Sequence, residues 1–287
     1  MKSTFPSKIL LAGEYTVLLG SDAIAIPYDY YSGGWRAGIR SDYPFDIKAW
    51  IEHLSSIEEV SSQLDINRMH MDYLNDLRFV SNIPQGGGLG SSGGVTAAFY
   101  DRYIYNELSI ETQLEDIRAI LSEMESYFHG ESSGVDPLVS LTGRGYVIRD
   151  KEGELLEPEI PQSISLHLIL TTTIRNTAPL ITFFMESMEK SKFRQRIEEE
   201  QMPAVKNFVS AWLEGRVSDL EKSFQAISSI EYDLMKPMIT KDIKKLWKQG
   251  LDDENFSIKL CGAGGGGAYL ACGELPEDLP FKHLKIS

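Results

Sequence analysis

Apolar and polar positions along the chain fall into blocks whose period changes. Ile9-Leu10-Leu11-Ala12, Thr16-Val17-Leu18-Leu19 and Ala23-Ile24-Ala25-Ile26 are short apolar runs separated by glycine and Asp/Ser turn signals. With the polar–apolar stretch over residues 32–50, they predict a β-rich start spanning residues 5–50. Over residues 57–78, Val60, Leu64, Ile66, Met69, Met71, Leu74 and Leu77 fit a helix or a helix followed by a strand, and periodicity does not choose between them. Residues 79–83 predict a strand and residues 95–105 a buried helix. A second helix is predicted over 110–128, with Leu114, Ile117, Ile120, Leu121, Met124 and Phe128 at helical spacing. Strands are predicted at 146–148 and 166–170, around a region rich in Gly, Glu and Pro. Residues 179–251 read as helical, with breaks near Pro203, Gly215 and Pro237, and 257–260 as a last strand. No internal repeat or low-complexity linker interrupts this order.

Composition narrows the class. With 287 residues, 42% hydrophobic and 24% charged, the chain has the makeup of a soluble globular protein, either one large domain or two sharing a cleft. A net charge of −14 argues against nucleic acid and anionic membranes as partners, because clustered Lys and Arg hold those. An anionic small substrate would need a local cationic patch. No run of about 18 apolar residues spans a membrane, and Glu14 interrupts the first apolar segment, which makes a poor signal peptide. The expectation is a cytoplasmic protein. Its two cysteines, Cys261 and Cys272, have neither the number for a disulfide framework nor the spacing of a zinc site, and read as buried thiols.

The candidate chemistry lies in PQGGGLGSSGG, residues 84–94, between a predicted strand and a predicted helix. The first N–H groups of a helix lack intrahelical partners, its dipole favours negative charge there, and glycines admit phosphate oxygens to the backbone. Ser91 and Ser92 add hydroxyls that can cap the helix, bind phosphate or ligate Mg2+. The loop has no lysine in the position of G-x-x-x-x-G-K-[ST] and no acidic residue placed as after a Rossmann loop. A glycine-rich turn with a purely structural role explains the loop taken alone equally well. A second run, Gly262-Ala263-Gly264-Gly265-Gly266-Gly267, stands far away in sequence, so a shared site requires the fold to bring the two together.

Four segments, taken in order, carry a resemblance. They are Lys8 to Gly20 (KILLAGEYTVLLG), PQGGGLGSSGG, Glu125 followed by His129 to Asp136 (HGESSGVD), and Cys261 to Gly267 (CGAGGGG). Together, over residues 8–270, they resemble the GHMP kinases. HGESSGVD and CGAGGGGAYL are most similar to mevalonate kinases, whose segments read H-G-x-P-S-G-x-D and T-G-A-G-G-G-G. GEYTVLLG, with Tyr15 in place of a histidine, is closer to phosphomevalonate kinases. Gly93 and Gly94 stand where alanines are common.

The resemblance implies an α+β, two-lobed fold. The N-terminal lobe would be of the ribosomal protein S5 domain 2 type and the C-terminal lobe a ferredoxin-like α/β plait, with a boundary near residue 155 (1–155 and 156–287). It implies ATP and Mg2+ as cofactors and a small hydroxy acid as substrate, most like mevalonate phosphorylated to 5-phosphomevalonate. Phosphomevalonate or a sugar or amino acid is the alternative acceptor, and a catalytically silent nucleotide-binding regulator the alternative of another class. Asp136 matches the catalytic aspartate that takes the acceptor proton, and Lys8 the lysine that stabilises phosphoryl charge. Pro84, Gly86, Gly87, Gly88, Leu89, Gly90, Ser91 and Ser92 would hold ATP. Ser92 and Glu125 would ligate the metal, with Glu123 as the competing carboxylate, because positions 123 and 125 of a helix point in different directions. Glu14, Tyr15, Arg175, Thr177, Gly264 and Gly265 would meet the acceptor or its phosphates. The resemblance also allows a homodimer.

Overall fold

The computed structural model describes residues 2–38, 45–106, 108–157, 159–161, 163–173 and 178–286. Strands β1 (Phe5–Ala12) and β2 (Ala23–Ala37) are followed by α1 (Ile47–Ser56), α2 (Glu58–Ser61), α3 (Ile66–Leu74) and β3 (Leu77–Ser81). Next come α4 (Ser91–Tyr103), α5 (Leu114–His129), α6 (Val135–Thr142) and the strands β4 (Gly145–Arg149), β5 (Glu152–Leu156) and β6 (Leu166–Leu170). Helices α7 (Ala178–Met188), α8 (Ser191–Arg196), α9 (Met202–Leu213), α10 (Val217–Leu234) and α11 (Lys241–Asp253) precede β7 (Phe256–Leu260), β8 (Ala268–Gly273) and β9 (Lys282–Lys285). The α+β class is as expected. Contacts group these elements into two units: one of residues up to Lys8 with Pro27–Ile83 and Gly90–Arg144, the other of Ile9–Ile26, Pro84–Leu89 and the chain from Gly145 onward.

In the first unit, the later half of β2 pairs antiparallel with β3, from Gly33 opposite Ser81 to Ala37 opposite Leu77. Helix α1 corrects the expectation of β structure through residue 50. The Asp46 carboxylate accepts from the backbone N–H groups of Lys48 and Ala49, which caps the helix start. Ile47, Trp50, Ile51 and Leu54 then recur at helical spacing and are all buried, each aliphatic side chain contributing about 1.5–3 kcal/mol by burial. The Trp50 indole N–H donates to the Met124 carbonyl at 3.0 Å, and its ring meets Phe99 edge-on at 4.7 Å, which fastens α1 to α5 and α4.

In the second unit, the start of β2 pairs with β4, Ala23 opposite Ile148, and β4 forms a hairpin with β5. Asp150 and Lys151, the turn between them, both have positive φ (49° and 73°), as a tight hairpin requires. Strand β5 was not expected, since its Gly/Glu-rich sequence reads as a turn. Thr16–Leu19, expected as a strand, forms one 3-10 turn between Tyr15 (φ 62°) and Gly20 (φ 81°), closed by Leu18 N–H on Tyr15 O and Gly20 N–H on Val17 O. A threonine followed by three apolar residues satisfies either structure, and the backbone bonds decided. A separate antiparallel sheet, in the order β7-β8-β6-β9, carries α10 and α11 against β7. Phe184, Ile243, Trp247, Ile258, Leu260 and Tyr269 form its buried core. The break expected near Pro203 is a wider π-helical turn, Ile197–Gln201, leading into α9.

Candidate active site

The first unit gathers four of the predicted residues. On α5, Ile117, Leu121 and Met124 face the core, and Glu125, one turn after Leu121, shares that side and is 3% exposed. Glu123 points to solvent, which separates the two competing carboxylates. Ser92, in the first turn of α4, donates its hydroxyl to Glu125 Oε1 at 2.8 Å. Ser132, in the loop before α6, donates to Oε2 at 2.6 Å. Burial pushes the Glu125 carboxyl up to about 7, with the charge of Asp136 adding to the effect and the two serines and Lys8 opposing it.

Asp136 lies in the first turn of α6, and its Oδ2 is 3.0 Å from the Nζ of Lys8 on β1. The lysine is buried, whereas the aspartate side chain keeps 29% exposure and can meet a solute. A second rung fixes this pair. Ser140, one turn after Asp136, donates to the carbonyl of Pro6, two residues before Lys8, at 2.7 Å. Residues i and i+4 of a helix and i and i+2 of a strand each share a face, so helix and strand are pinned at two points.

Gly93 now has a physical account. A Cβ there would lie 2.8 Å from the Asp136 carbonyl carbon and 2.9 Å from both Asp136 Cβ and Pro137 N. Helix α4 therefore passes directly against the backbone that carries Asp136. Gly94 is less constrained, since its Cβ would meet side chains alone, the end of Ile83 at 3.0 Å and the Phe79 ring at 4.0 Å. At its start, α4 is preceded by Gly90, with no side chain capping its first N–H groups, and Ser91 and Ser92 are partly exposed.

The second unit brings the two glycine runs together. Ala268 N–H donates to Gly87 O at 3.0 Å, and a Cβ on Gly88 would stand 1.9 Å from Cys261 O. Close backbone packing is thus one cause of the bare sequence at Gly88, and at Gly267, whose Cβ would stand 2.3 Å from Gly87 Cα. Gly86 is exposed and Gly88 and Pro84 partly so, whereas Leu89 is fully buried and anchors the loop. Gly264 and Gly265 are buried, and Gly265 N–H donates to Met238 O at 2.6 Å. Gly262 and Ala263 are the partly exposed residues of that run.

Glu14 and Tyr15 are also buried here. The Tyr15 hydroxyl donates to Ala263 O at 2.5 Å, and its ring stacks on Phe184 at 4.8 Å. Glu14 Oε1 forms an ion pair with Lys259 Nζ, which also donates to Leu260 O at 2.6 Å, while Glu14 Oε2 has no hydrogen-bond partner among the described residues. Glu231 of α10 accepts from Leu260 N–H at 2.8 Å. Its carboxyl is pushed up to about 8 by burial, against the lowering effect of Lys259. The sequence reading did not single out Lys259 and Glu231. The available signal was Glu231 occupying the next step of the buried series Leu220, Phe224, Ile227. Arg175 and Thr177 lie outside the described residues.

Among the described residues no group of three or more His, Cys, Asp or Glu side chains could hold a metal, and no helix is long and apolar enough to cross a membrane. Residues 55–144 match the GHMP kinases N terminal domain. The chain is 26% identical over 301 residues to a mevalonate kinase of Thermococcus gammatolerans, covering 93% of this chain and 87% of that protein. In fold it is similar to Streptococcus pneumoniae phosphomevalonate kinase in complex with phosphomevalonate and AMPPNP, with TM-score 0.67, 14% identity and full coverage of both chains. L. major mevalonate kinase in complex with R-mevalonate gives TM-score 0.61 at 18% identity, with 97% of this chain and 88% of that one covered. The matched residues 55–144 are thus a GHMP kinase N-terminal domain, the mark of a superfamily of ATP-dependent phosphotransferases, and the α+β architecture of two sheets is the fold of the mevalonate and phosphomevalonate kinase structures.

Proposed function

We propose that the chain phosphorylates mevalonate at a hydroxyl, giving 5-phosphomevalonate, with ATP as donor and Mg2+ as cofactor. The observation that carries this reading is the Lys8–Asp136 pair, 3.0 Å apart, with the aspartate partly exposed. A carboxylate held by a buried ammonium is placed to take the acceptor proton as the hydroxyl oxygen attacks the γ-phosphorus. The new O–P bond forms as the bond to the β-phosphate oxygen breaks, the proton resides on Asp136, and ADP leaves. Lys8 supplies positive charge beside the transferring group. The start of α4, where no side chain caps the helix, suits phosphate oxygens.

The donor set fits magnesium. Ser92 Oγ and Glu125 Oε1 are 2.8 Å apart, close to the roughly 3 Å between neighbouring oxygens around a cation that binds at about 2.0–2.1 Å. A single carboxylate with one hydroxyl also suits an ion that takes the rest of its shell from phosphates and water. When bound, Mg2+ neutralises developing phosphate charge. Ser92 and Glu125 are the residues that would hold it.

Tyr15, which favours phosphomevalonate by sequence, gives its hydroxyl to Ala263 O and its ring to Phe184. Packing accounts for it, and mevalonate stays ahead. The same proposal includes cytoplasmic location and a homodimer. ADP release from Mg-ATP, measured with mevalonate, with phosphomevalonate and with no acceptor, tests the substrate. Release dependent on mevalonate supports the reading, and release only with phosphomevalonate, or none above the control, rejects it.

A further inference from the structure

Glu125 is held on both oxygens, and the second holder has no role so far. Ser132 Oγ donates to Oε2 at 2.6 Å and accepts from Gly134 N–H at 3.0 Å. That backbone donor occupies a lone pair of the hydroxyl and turns its proton toward the carboxylate, and such chained bonds strengthen one another. Ser132 is itself tied to the helix that bears Glu125. Ser122, one turn earlier on α5, donates to the Ser132 carbonyl at 2.5 Å, and Arg118, a further turn back, donates to the Ser133 carbonyl at 2.8 Å. The hydroxyl is thus set by the backbone of its own loop and by α5, and it cannot drift without breaking three contacts. Proline, which stands at this position in the segments that HGESSGVD resembles, has no donor to offer.

We propose that Ser132 is a positioning residue for Glu125: by fixing Oε2 it presents Oε1 beside Ser92 as a ready-made oxygen pair for a divalent cation. A glutamate side chain free to rotate would surrender conformational freedom when the cation arrives, and here the loop has already removed it. The inference rests on the reading of Glu125 as the metal-facing carboxylate.

The test is Mn2+ binding to the full chain with AMPPNP, followed by the electron paramagnetic resonance signal of free Mn2+, a readout independent of turnover. Removing an outer partner of a ligand typically weakens metal affinity about 10–100-fold. Ser132→Ala and Ser132→Cys are therefore expected to raise the Mn2+ dissociation constant at least about tenfold. Ser132→Thr, which keeps the hydroxyl, should recover most of the affinity. Thermal melting of each variant separates loss of fold from loss of positioning, and the near-isosteric cysteine stands in if alanine disturbs the loop. Wild-type Mn2+ affinity in folded Ser132→Ala or Ser132→Cys overturns the proposal, as does a Thr variant no better than Ala. Glu125→Gln distinguishes the underlying reading: unchanged Mn2+ affinity there removes Glu125 from the metal site. Weak binding in Glu125→Gln with normal binding in Ser132→Ala overturns the role of Ser132 alone.

Discussion

Replacing Gly93 by alanine sets two effects of known size against each other. In a helix interior alanine is favoured over glycine by about 1 kcal/mol. Against this, the new methyl would start 2.8 Å from the Asp136 carbonyl carbon and must retreat to the 3.4 Å at which ordinary contact begins, a parting of about 0.6 Å between α4 and α6. The opposing atoms are backbone, so no side chain can rotate out of the way, and overpacking of this kind costs about 1–3 kcal/mol. The net expectation is a loss of about 0–2 kcal/mol, read as a melting temperature unchanged or lowered by a few degrees. The larger effect falls on catalysis, because the displaced backbone is that of Asp136. With 1 Å of misplacement worth about 100-fold in rate, kcat should fall about tenfold or more. Gly94→Ala is the internal control: its methyl meets the ends of the Ile83 and Phe79 side chains and no backbone, so it should keep kcat and gain about 0.5–1 kcal/mol. Steady-state kinetics and a thermal scan of both variants decide the matter. A Gly93→Ala enzyme with unchanged kcat and a raised melting temperature would show that α6 yields freely, and the packing argument would be wrong.

Other expectations follow from the same geometry. Asp136→Asn removes the carboxylate beside Lys8 that is proposed to take the acceptor proton and should lower kcat about 100- to 10,000-fold, with ATP binding by calorimetry unchanged; retained turnover would remove it from the chemistry. The Glu125 carboxyl, raised to about 7 with Asp136, Lys8, Ser92 and Ser132 around it, must lose a proton to accept a cation. Apparent Mg2+ affinity should therefore climb from pH 6 to 8 and level off above, and a flat profile would contradict it. For stability the sign is reversed: with the folded value above the unfolded one near 4.5, burying Glu125 favours folding at low pH, and this contribution fades as pH rises through about 7. Lys259→Met strands Glu14 in the interior and should cost about 3–5 kcal/mol, with Lys259→Met/Glu14→Gln recovering much of it. A melting temperature indifferent to the single change would mean that the pair carries no such burden.

The sequence pointed to residues that the fold does bring together, Lys8 with Asp136 and Ser92 with Glu125, more reliably than it placed the elements that carry them. Lys8, Ser92, Glu125 and Asp136 were legible because each sits at a fixed offset inside a short motif, and helical spacing alone required a choice between Glu123 and Glu125. The β-rich reading of residues 5–50 failed at Thr16–Leu19, where a four-residue run carries no period. It failed again at Ile47–Ser56, where the signal was present in the Asp46 cap and the 47, 50, 51, 54 spacing but was read as alternation. Gly93 could not be explained from sequence, because the reason for its missing side chain is the backbone of a residue more than forty positions away. Lys259 and Glu231 escaped for the opposite reason. A charged residue in an apolar pattern looks like a flaw in the period until its buried partner is known, and Glu14 had already been assigned to substrate.

The double rung between α6 and β1 also bears on when the site comes into being. Ser140 and Pro6 are 134 positions apart, so the chain must close a very long loop before Asp136 meets Lys8. The closure entropy grows only slowly with loop length, but contacts of such separation slow folding and belong to its later steps. During synthesis, a nascent chain that has emerged through α5 already contains the glycine loop and Glu125 and still lacks Asp136. Regain of turnover on refolding is therefore expected to lag behind the recovery of helical signal.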